Sequence, residues 1–194
     1  MENQKVIELK DVSKAYQDKL VFQDFNLKIS KNETTILMGD SGRGKTTLLN
    51  MMMGLESLDE GEIIGIESQK IVAVFQEDRL CESLSVQSNI KLVLNSKQKS
   101  EDILNHLESV GLEKELAAPV KNLSGGMKRR VAIVRAVMAQ SDIIIMDEPF
   151  KGLDEATKLR CMDYIKHNTL GKTLIISTHD EREAEYFAGN IIKI

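Results

Sequence analysis

A glycine-rich segment near the start of the chain has the residue types and spacing of a phosphate-binding loop. The loop consists of Gly39, Asp40, Ser41, Gly42, Arg43, Gly44, Lys45 and Thr46, and it is followed by Thr47. Glycines let the backbone wrap a phosphate with its N–H groups pointing inward, and the following helix adds its positive N-terminal end. We expect Lys45 to reach the β- and γ-phosphates of a nucleotide and the Thr46 hydroxyl to bind Mg²⁺. The alternative is a glycine-rich turn without a ligand.

Two adjacent carboxylates follow a second apolar run. Asp147 and Glu148 come directly after Ile143–Met146, which is typical of a strand that is buried on both faces. The carboxyl ends of such strands form the ligand-binding edge of α/β proteins. We expect Asp147 to hold Mg²⁺ through water and Glu148 to polarise an attacking water as general base. The alternative is a solvated acidic turn after a core strand.

A histidine occupies the same edge of the predicted sheet. His179 follows the apolar run Leu174–Ser177 and precedes a helix start at Asp180. Such a histidine is structural more often than catalytic, so the residues alone leave both interpretations open. Its position places it near Asp147 and Glu148.

Short β-branched runs alternate with helical patterns, which predicts an α/β fold with a mainly parallel sheet. Strands in closer succession at the N-terminus predict a small antiparallel β region. A polar, purely helical stretch predicts an inserted helical lobe over about 77–140. The nucleotide-binding core then comprises 1–76 and 141–194 of a single domain, 1–194. Strands are expected at 6–9, 25–29, 34–38, 63–66, 71–75, 143–146, 173–177 and 191–194, and helices at about 45–53, 86–95, 100–109, 125–139, 155–167 and 181–188.

Composition excludes several classes of protein. The 194 residues carry 26 basic and 30 acidic side chains, a net charge of −4, which gives no support to a general affinity for nucleic acid. The basic side chains Lys128, Arg129, Arg130 and Arg135 are therefore expected on a solvated or interface-facing side of their helix. Two cysteines without CxxC spacing fit neither a disulfide scaffold nor a zinc site. The N-terminus has no signal-peptide core and no run is long enough to span a bilayer, so a membrane role would have to come through a partner.

The segment Leu123–Met127, followed by 128–136, resembles the signature segment of ATP-binding cassette (ABC) proteins. The other motifs occur in the family's order along essentially the whole chain. Tyr16 lies where the family's adenine-stacking aromatic falls, Gln76 matches the Q-loop, 152–154 resembles the D-loop and 177–180 the switch-histidine segment. The chain is thereby identified as resembling an ABC transporter ATPase subunit.

The resemblance implies roles for these residues and two cofactors, ATP and Mg²⁺. His179 and Gln76 would join Lys45 and Glu148 in catalysis, and Gln76 would also join Thr46 and Asp147 at the metal. A second copy of the domain would receive its nucleotide from the signature and D-loop residues Ser124, Gly125, Gly126 and Asp154. Two such domains would thus close head-to-tail around two nucleotides. The resemblance favours a homodimer of this chain and leaves a heterodimer with another cassette as the alternative.

The resemblance also implies partners and a location. Transmembrane permease subunits, and indirectly a solute-binding protein, would place the chain on the cytoplasmic inner face of the cell membrane. The signature segment and 147–150 look most like importers of nitrate, sulfonate and taurine, although Lys151 stands where the D-loop usually has a small residue. Two alternatives are a soluble ABC ATPase acting on DNA or the ribosome, and a P-loop kinase of a small metabolite, which would leave the signature segment and His179 unexplained.

Overall fold

The computed structural model describes residues 6–17, 19–95 and 100–194. These residues form two β-sheets and six α-helices, with two short 3₁₀ turns at Glu113–Glu115 and Val120–Asn122. The strands are β1 Val6–Tyr16, β2 Lys19–Ser30, β3 Thr34–Met38, β4 Glu60–Ile64, β5 Ile71–Val74, β6 Ile143–Asp147, β7 Thr173–Thr178 and β8 Asn190–Lys193. The helices are α1 Lys45–Met52, α2 Val86–Lys91, α3 Ser100–Ser109, α4 Gly125–Met138, α5 Glu155–Asn168 and α6 Glu181–Phe187.

The central sheet has five parallel strands in the order β5-β6-β7-β3-β8. Every residue of β6 and β7 is buried, as expected for strands covered by other elements on both faces. Consecutive residues of β6 belong to different apolar clusters: Ile144 packs with the helices α2 to α6, while Ile145 packs with α1 and the N-terminal strands. The sheet therefore separates two cores.

The antiparallel sheet has the order β2-β1-β4. Its strands β1 and β2 are longer than the sequence predicted and pair as far as Tyr16 with Lys19. Polar residues such as Lys14 and Gln23 interrupt the apolar alternation in these outer halves. The alternation of apolar residues therefore does not indicate that the strands extend this far. Register shifts between Leu9 and Ala15 bend β1 locally.

Side-chain caps begin four of the helices. Ser85, Ser124, Asp154 and Asp180 accept hydrogen bonds from backbone N–H groups in the first turns of α2, α4, α5 and α6, which satisfies donors that a helix start leaves free. The helix α2 ends at Lys91, earlier than the predicted 95. The helices α2, α3 and α4 cover one face of the parallel sheet.

Four neighbouring strands end at one edge of the parallel sheet. β3 leads into the phosphate-binding loop, β6 ends at Asp147, β7 leads to His179, and β5 leads to Gln76. Parallel strands all point the same way, so their carboxyl ends share this edge. The predicted α/β class, with a mainly parallel sheet, a small antiparallel sheet and a group of helices between β5 and β6, is confirmed.

Burial on both faces of β6 predicts that adjacent residues are equally sensitive to truncation. Ile144→Ala and Ile145→Ala should each lower the free energy of unfolding by about 2–5 kcal/mol, because each leaves a cavity in a packed core. Urea unfolding followed by circular dichroism measures the loss. The control Leu170→Ala, at a side chain that is 80% exposed, should change the stability by less than about 0.5 kcal/mol. If either substitution left the free energy of unfolding unchanged, the burial of that face of β6 would be contradicted.

Candidate active site

The phosphate-binding loop is held by close backbone packing. Gly44 adopts φ +99°, and a Cβ placed there would lie 2.7 Å from Val21 Cγ1 and 2.8 Å from Phe22 Cζ. A side chain would thus clash with the antiparallel sheet as well as strain the backbone. The buried Lys45 donates hydrogen bonds from Nζ to the carbonyls of Gly39 and Asp40, the latter at 3.0 Å. Its ammonium therefore lies inside the curve of the loop.

Oxygen-bearing side chains from three elements meet beside Lys45. Thr46 Oγ1 donates to Asp147 Oδ2 over 2.7 Å and accepts from Gln76 Nε2 over 3.2 Å. Hydroxyl, carboxylate and amide oxygens are the ligands that Mg²⁺ prefers. Within the described ranges, no group of three or more His, Cys, Asp or Glu side chains could hold a metal ion. Thr46, Asp147 and Gln76 are the candidate ligands for a metal ion at this position.

Ser177 contacts two of the predicted site residues, although the sequence did not single it out. Its hydroxyl donates to Asp147 Oδ1 and accepts from the backbone N–H of Glu148 at 3.0 Å. Ser177 is fully buried and Asp147 is 5% exposed. A buried carboxylate needs such donors. The only sequence signal was the position of Ser177 in the switch-histidine segment, one strand away from Asp147.

Glu148 is nearly buried and lies between two nitrogen-bearing side chains. Its backbone takes φ +45°, a left-handed conformation that is uncommon for a glutamate. Oε1 lies 3.6 Å from His179 Nδ1, and Oε2 lies 3.5 Å from Lys151 Nζ. The structure thus brings the predicted pair Glu148 and His179 together, and adds Lys151.

These side chains border one cleft of about 420 Å³. The cleft is bordered by side chains from outside the loop, among them Tyr16, Lys19, Gln76, Glu148 and Lys151. The loop contributes Ser41, Gly42, Gly44, Lys45, Thr46 and Thr47. Of the other predicted residues, Gly39 and Asp40 accept hydrogen bonds from Lys45 through their carbonyls, and Asp147 accepts one from Thr46. Arg43 is exposed and does not line the cleft. His179 borders a smaller adjoining cleft.

The ammonium of the buried Lys14 lies over the ring of Tyr16. Lys14 Nζ lies 5.1 Å from the centre of the Tyr16 ring and pairs with Glu56 at 2.9 Å and Asp59 at 3.2 Å. The hydrogen bond to Glu56, assisted by Asp59, raises the pKa of Lys14 although burial opposes it. Tyr16 keeps 43% of its surface exposed, so it presents an aromatic face to the cleft.

The signature and D-loop residues lie apart from this cleft. Ser124 caps α4 by accepting a hydrogen bond from the backbone N–H of Met127 at 3.3 Å, and Asp154 caps α5 by accepting one from Thr157 at 3.0 Å. Bonds from Thr157 lower the pKa of Asp154. A Cβ on Gly126 would lie 3.4 Å from Leu153 Cδ2, so the two segments adjoin. Ser124, Gly125, Gly126 and Asp154 therefore share an exposed surface outside the cleft.

Arg129 corrects part of a prediction, because its side chain is buried and does not lie on a solvated helix face, whereas Lys128, Arg130 and Arg135 are half-buried and their place at an interface stays a prediction. Arg129 is buried and donates to the carbonyls of Phe75 and Gln76, with its Nε 3.1 Å from Asp78 Oδ1. Arg130 donates to the carbonyl of Val110 at 2.8 Å. Loop carbonyls, which have no signature in a sequence, attract these side chains. The first residues of α4 are thereby tied to Gln76.

The fold and cleft define a nucleotide-binding protein of the P-loop class. Comparison with known proteins gives the family: residues 22–151 match the family described as "ABC transporter". The spermidine/putrescine import ATP-binding protein PotA of Pasteurella multocida strain Pm70 is 34% identical over 208 residues, covering 99% of this chain and 56% of the relative. The PotA of Clostridioides difficile strain 630 is 34% identical over 96% of this chain and 58% of the relative. The chain belongs to the ABC transporter family.

A solved structure agrees with this assignment. The dimeric structure of MJ0796, described as a bacterial ABC transporter cassette, has a TM-score of 0.83 and 30% identity, covering 97% of this chain and 94% of that one. Another structure of MJ0796 is a dimeric post-hydrolysis state bound to ADP and Pi, with the same scores. The present chain spans somewhat more than half the length of the two PotA relatives.

The relatives differ from the expected subgroup. Both PotA proteins are named for spermidine and putrescine, not for the nitrate, sulfonate or taurine that the signature segment suggested. Among the described residues, no helix is long and apolar enough to cross a membrane.

Loss of the Ser177 hydroxyl should impair the ATP hydrolysis that the sequence predicts more than it impairs the binding of ATP. Ser177→Ala removes the hydroxyl that donates to Asp147 and accepts from the backbone N–H of Glu148. Leaving these buried groups unpaired should destabilise the site by about 1–3 kcal/mol. We therefore expect kcat to fall about tenfold. Steady-state hydrolysis and equilibrium binding of ATP measure both effects. The control Ser141→Ala removes a buried hydroxyl that makes no hydrogen bond with the described residues and should leave kcat unchanged. Equal kcat in the two variants would contradict the role of Ser177.

Proposed function

We propose that this chain is the ATP-hydrolysing subunit of an ABC importer. The observation that carries the proposal is the convergence of Lys45, Thr46, Gln76 and Glu148 on one cleft at the carboxyl edge of the parallel sheet. This set of residues offers a cation for phosphates, oxygen ligands for a metal ion and a base for water. A family whose members are described as transport ATP-binding proteins supports the same activity.

The residues take the following parts in hydrolysis. The exposed face of Tyr16 stacks on adenine, and the loop N–H groups with Lys45 bind the phosphates. Glu148 accepts a proton from the attacking water as general base. His179 stands 3.6 Å from Glu148 Oε1 and orients the carboxylate and the water.

The donor set beside the loop fits Mg²⁺. Thr46, Asp147 and Gln76 would hold the ion, Asp147 through water, since its oxygens already accept from two hydroxyls. The ion neutralises charge on the β- and γ-phosphates when it is bound. Ser177 meanwhile keeps the Asp147 carboxylate aimed at Thr46, because its hydroxyl donates to Oδ1 while Thr46 donates to Oδ2.

Completion of the site requires a second copy of the chain. Ser124, Gly125, Gly126 and Asp154 lie outside the cleft. Ser124, Gly125 and Gly126 form the start of α4, whose N–H groups can bind an anion, and Asp154 caps α5 beside them. We propose that this surface meets the γ-phosphate held by the other copy. The dimeric arrangement of MJ0796 supports this arrangement. ATP thereby contributes contacts that exist only in the closed dimer, which shifts the equilibrium toward closure.

Partners supply the membrane part of the system. We propose that Gln76 and the helical lobe transmit closure to transmembrane permease subunits at the cytoplasmic face of the membrane, with a solute-binding protein acting on the other side. The names of the PotA relatives and the resemblance of the signature segment to oxoanion importers both point to import. The permease, not the cleft described here, selects the solute.

Neutralising the proposed base should trap the nucleotide-bound dimer. Glu148→Gln removes the proton acceptor but keeps the shape of the side chain, so turnover should fall by about 10²–10⁴-fold while ATP still closes two copies. Hydrolysis assays and light scattering during gel filtration with ATP check both effects. The control Glu108→Gln changes an exposed glutamate of α3 and should match the wild type. A wild-type rate for Glu148→Gln would show that the base is misassigned.

A pull-down tests the transport role. The Glu148→Gln variant with ATP should recover a multi-span permease from native membranes, and a co-purified solute-binding protein would identify the solute. A polyamine-binding protein would agree with the PotA relatives, and an oxoanion-binding protein with the signature segment. Recovery of ribosomes or DNA-bound proteins without a permease would overturn the transporter assignment.

A further inference from the structure

Lys151 places a cation on the border of the cleft, beside the proposed base. Its ammonium lies 3.5 Å from Glu148 Oε2, on the side of the carboxylate away from His179. The side chain is 64% exposed, whereas that of Glu148 is 8% exposed. Lys151 borders both the nucleotide cleft and the adjoining cleft that contains His179. It therefore contacts the carboxylate at the point where both clefts meet.

The backbone determines this placement. Lys151 N donates to the carbonyl of Glu148 at 3.2 Å, and Leu153 N donates to that of Phe150 at 3.2 Å, so the segment folds into successive tight turns. Phe150 is 2% exposed and stacks on Phe187 with ring centres 6.0 Å apart. Because Phe150 is anchored and the turn begins at Glu148, the side chain of Lys151 is directed at Glu148.

Neighbouring lysines are engaged elsewhere. Lys45 donates to carbonyls of its own loop. Lys158, which borders the adjoining cleft, pairs with Glu155, Asp180 and Glu183 at 3.1 to 3.2 Å. Neither contact involves Glu148. Lys151 is thus placed to act on the base independently of these two cations.

We propose that Lys151 is a positioning residue for hydrolysis, holding one oxygen of the Glu148 carboxylate while His179 faces the other. The proposal rests on the proposed function, because it gives Glu148 the role of base. A glutamate side chain has three rotatable bonds, and a misplaced base loses rate even when substrate binding is intact. Contacts on separate oxygens restrict the rotation of the carboxylate. The effect should therefore fall on kcat rather than on KM.

Substitutions at Lys151 separate its charge from its size. Lys151→Met and Lys151→Ser should lower kcat for ATP by about three- to fivefold, the range available to a partly exposed ion pair, with KM changed by less than about twofold. Lys151→Arg keeps the cation and should restore most of the rate. The matched control Lys28→Met breaks another exposed lysine–glutamate pair, with Glu8 at 3.0 Å in the antiparallel sheet, and should behave as the wild type.

A double-mutant cycle tests whether Lys151 acts through Glu148. In single-turnover experiments on the full chain, Lys151→Met should lower the rate in the wild-type background but not the residual rate of Glu148→Gln. The ATP-dependent dimer of Glu148→Gln should be equally stable with and without Lys151→Met. Raised ionic strength should narrow the difference between the wild type and Lys151→Met, because an exposed cation is screened.

Three results would overturn the proposal. These are an unchanged kcat for Lys151→Met, an equal loss in both backgrounds, and a weaker ATP-dependent dimer, which would place the action of Lys151 at the contact between copies. Failure of the proposed function is distinguishable, because it would appear as a wild-type chain that does not hydrolyse ATP. A hydrolysing wild type with an insensitive Lys151 contradicts only the role of this lysine.

Discussion

The site depends on one buried carboxylate. Asp147 ends β6 with 5% of its surface exposed, and a charge in that position is tolerated only where donors satisfy it. The donors come from both sides, since Thr46 begins α1 after β3 and Ser177 lies in β7. The same serine accepts the N–H of Glu148. A single cluster of hydrogen bonds thereby sets the positions of the phosphate-binding loop, the proposed metal ligands and the proposed base relative to one another.

A second set of bonds joins the helical lobe to this site. Arg129, on the first turns of α4, donates to the backbone carbonyls of Phe75 and Gln76, and Gln76 in turn donates to Thr46. Burial raises the pKa of Asp78, although Arg129 opposes the shift. Any movement of α4 relative to the sheet must break these bonds or carry Gln76 with it. Hydrogen bonds therefore link the start of α4 to the side chains proposed to bind the metal ion.

Charge is distributed unevenly over the molecule. The whole chain is acidic, with a net charge of −4, yet Lys19, Lys45 and Lys151 border the cleft. A local excess of cations in a concave site attracts an anionic ligand even when the protein as a whole repels it. The acidic surface and the basic cleft together favour a nucleotide over an extended polyanion such as nucleic acid.

The sequence alone was sufficient to predict features that depend on residues adjacent along the chain. The phosphate-binding loop and the buried strands of the parallel sheet were predictable, because chemistry-bearing residues directly follow apolar runs. The outer halves of β1 and β2 were not, since their polar residues hide the alternation. Only the tertiary structure revealed the bonds of Ser177 to Asp147 and of Arg129 to Gln76, and the approach of Lys151 to the Glu148 carboxylate. Hydrogen bonds and ion pairs depend on side-chain direction and distance, which arise only when strands and turns pack into one sheet edge.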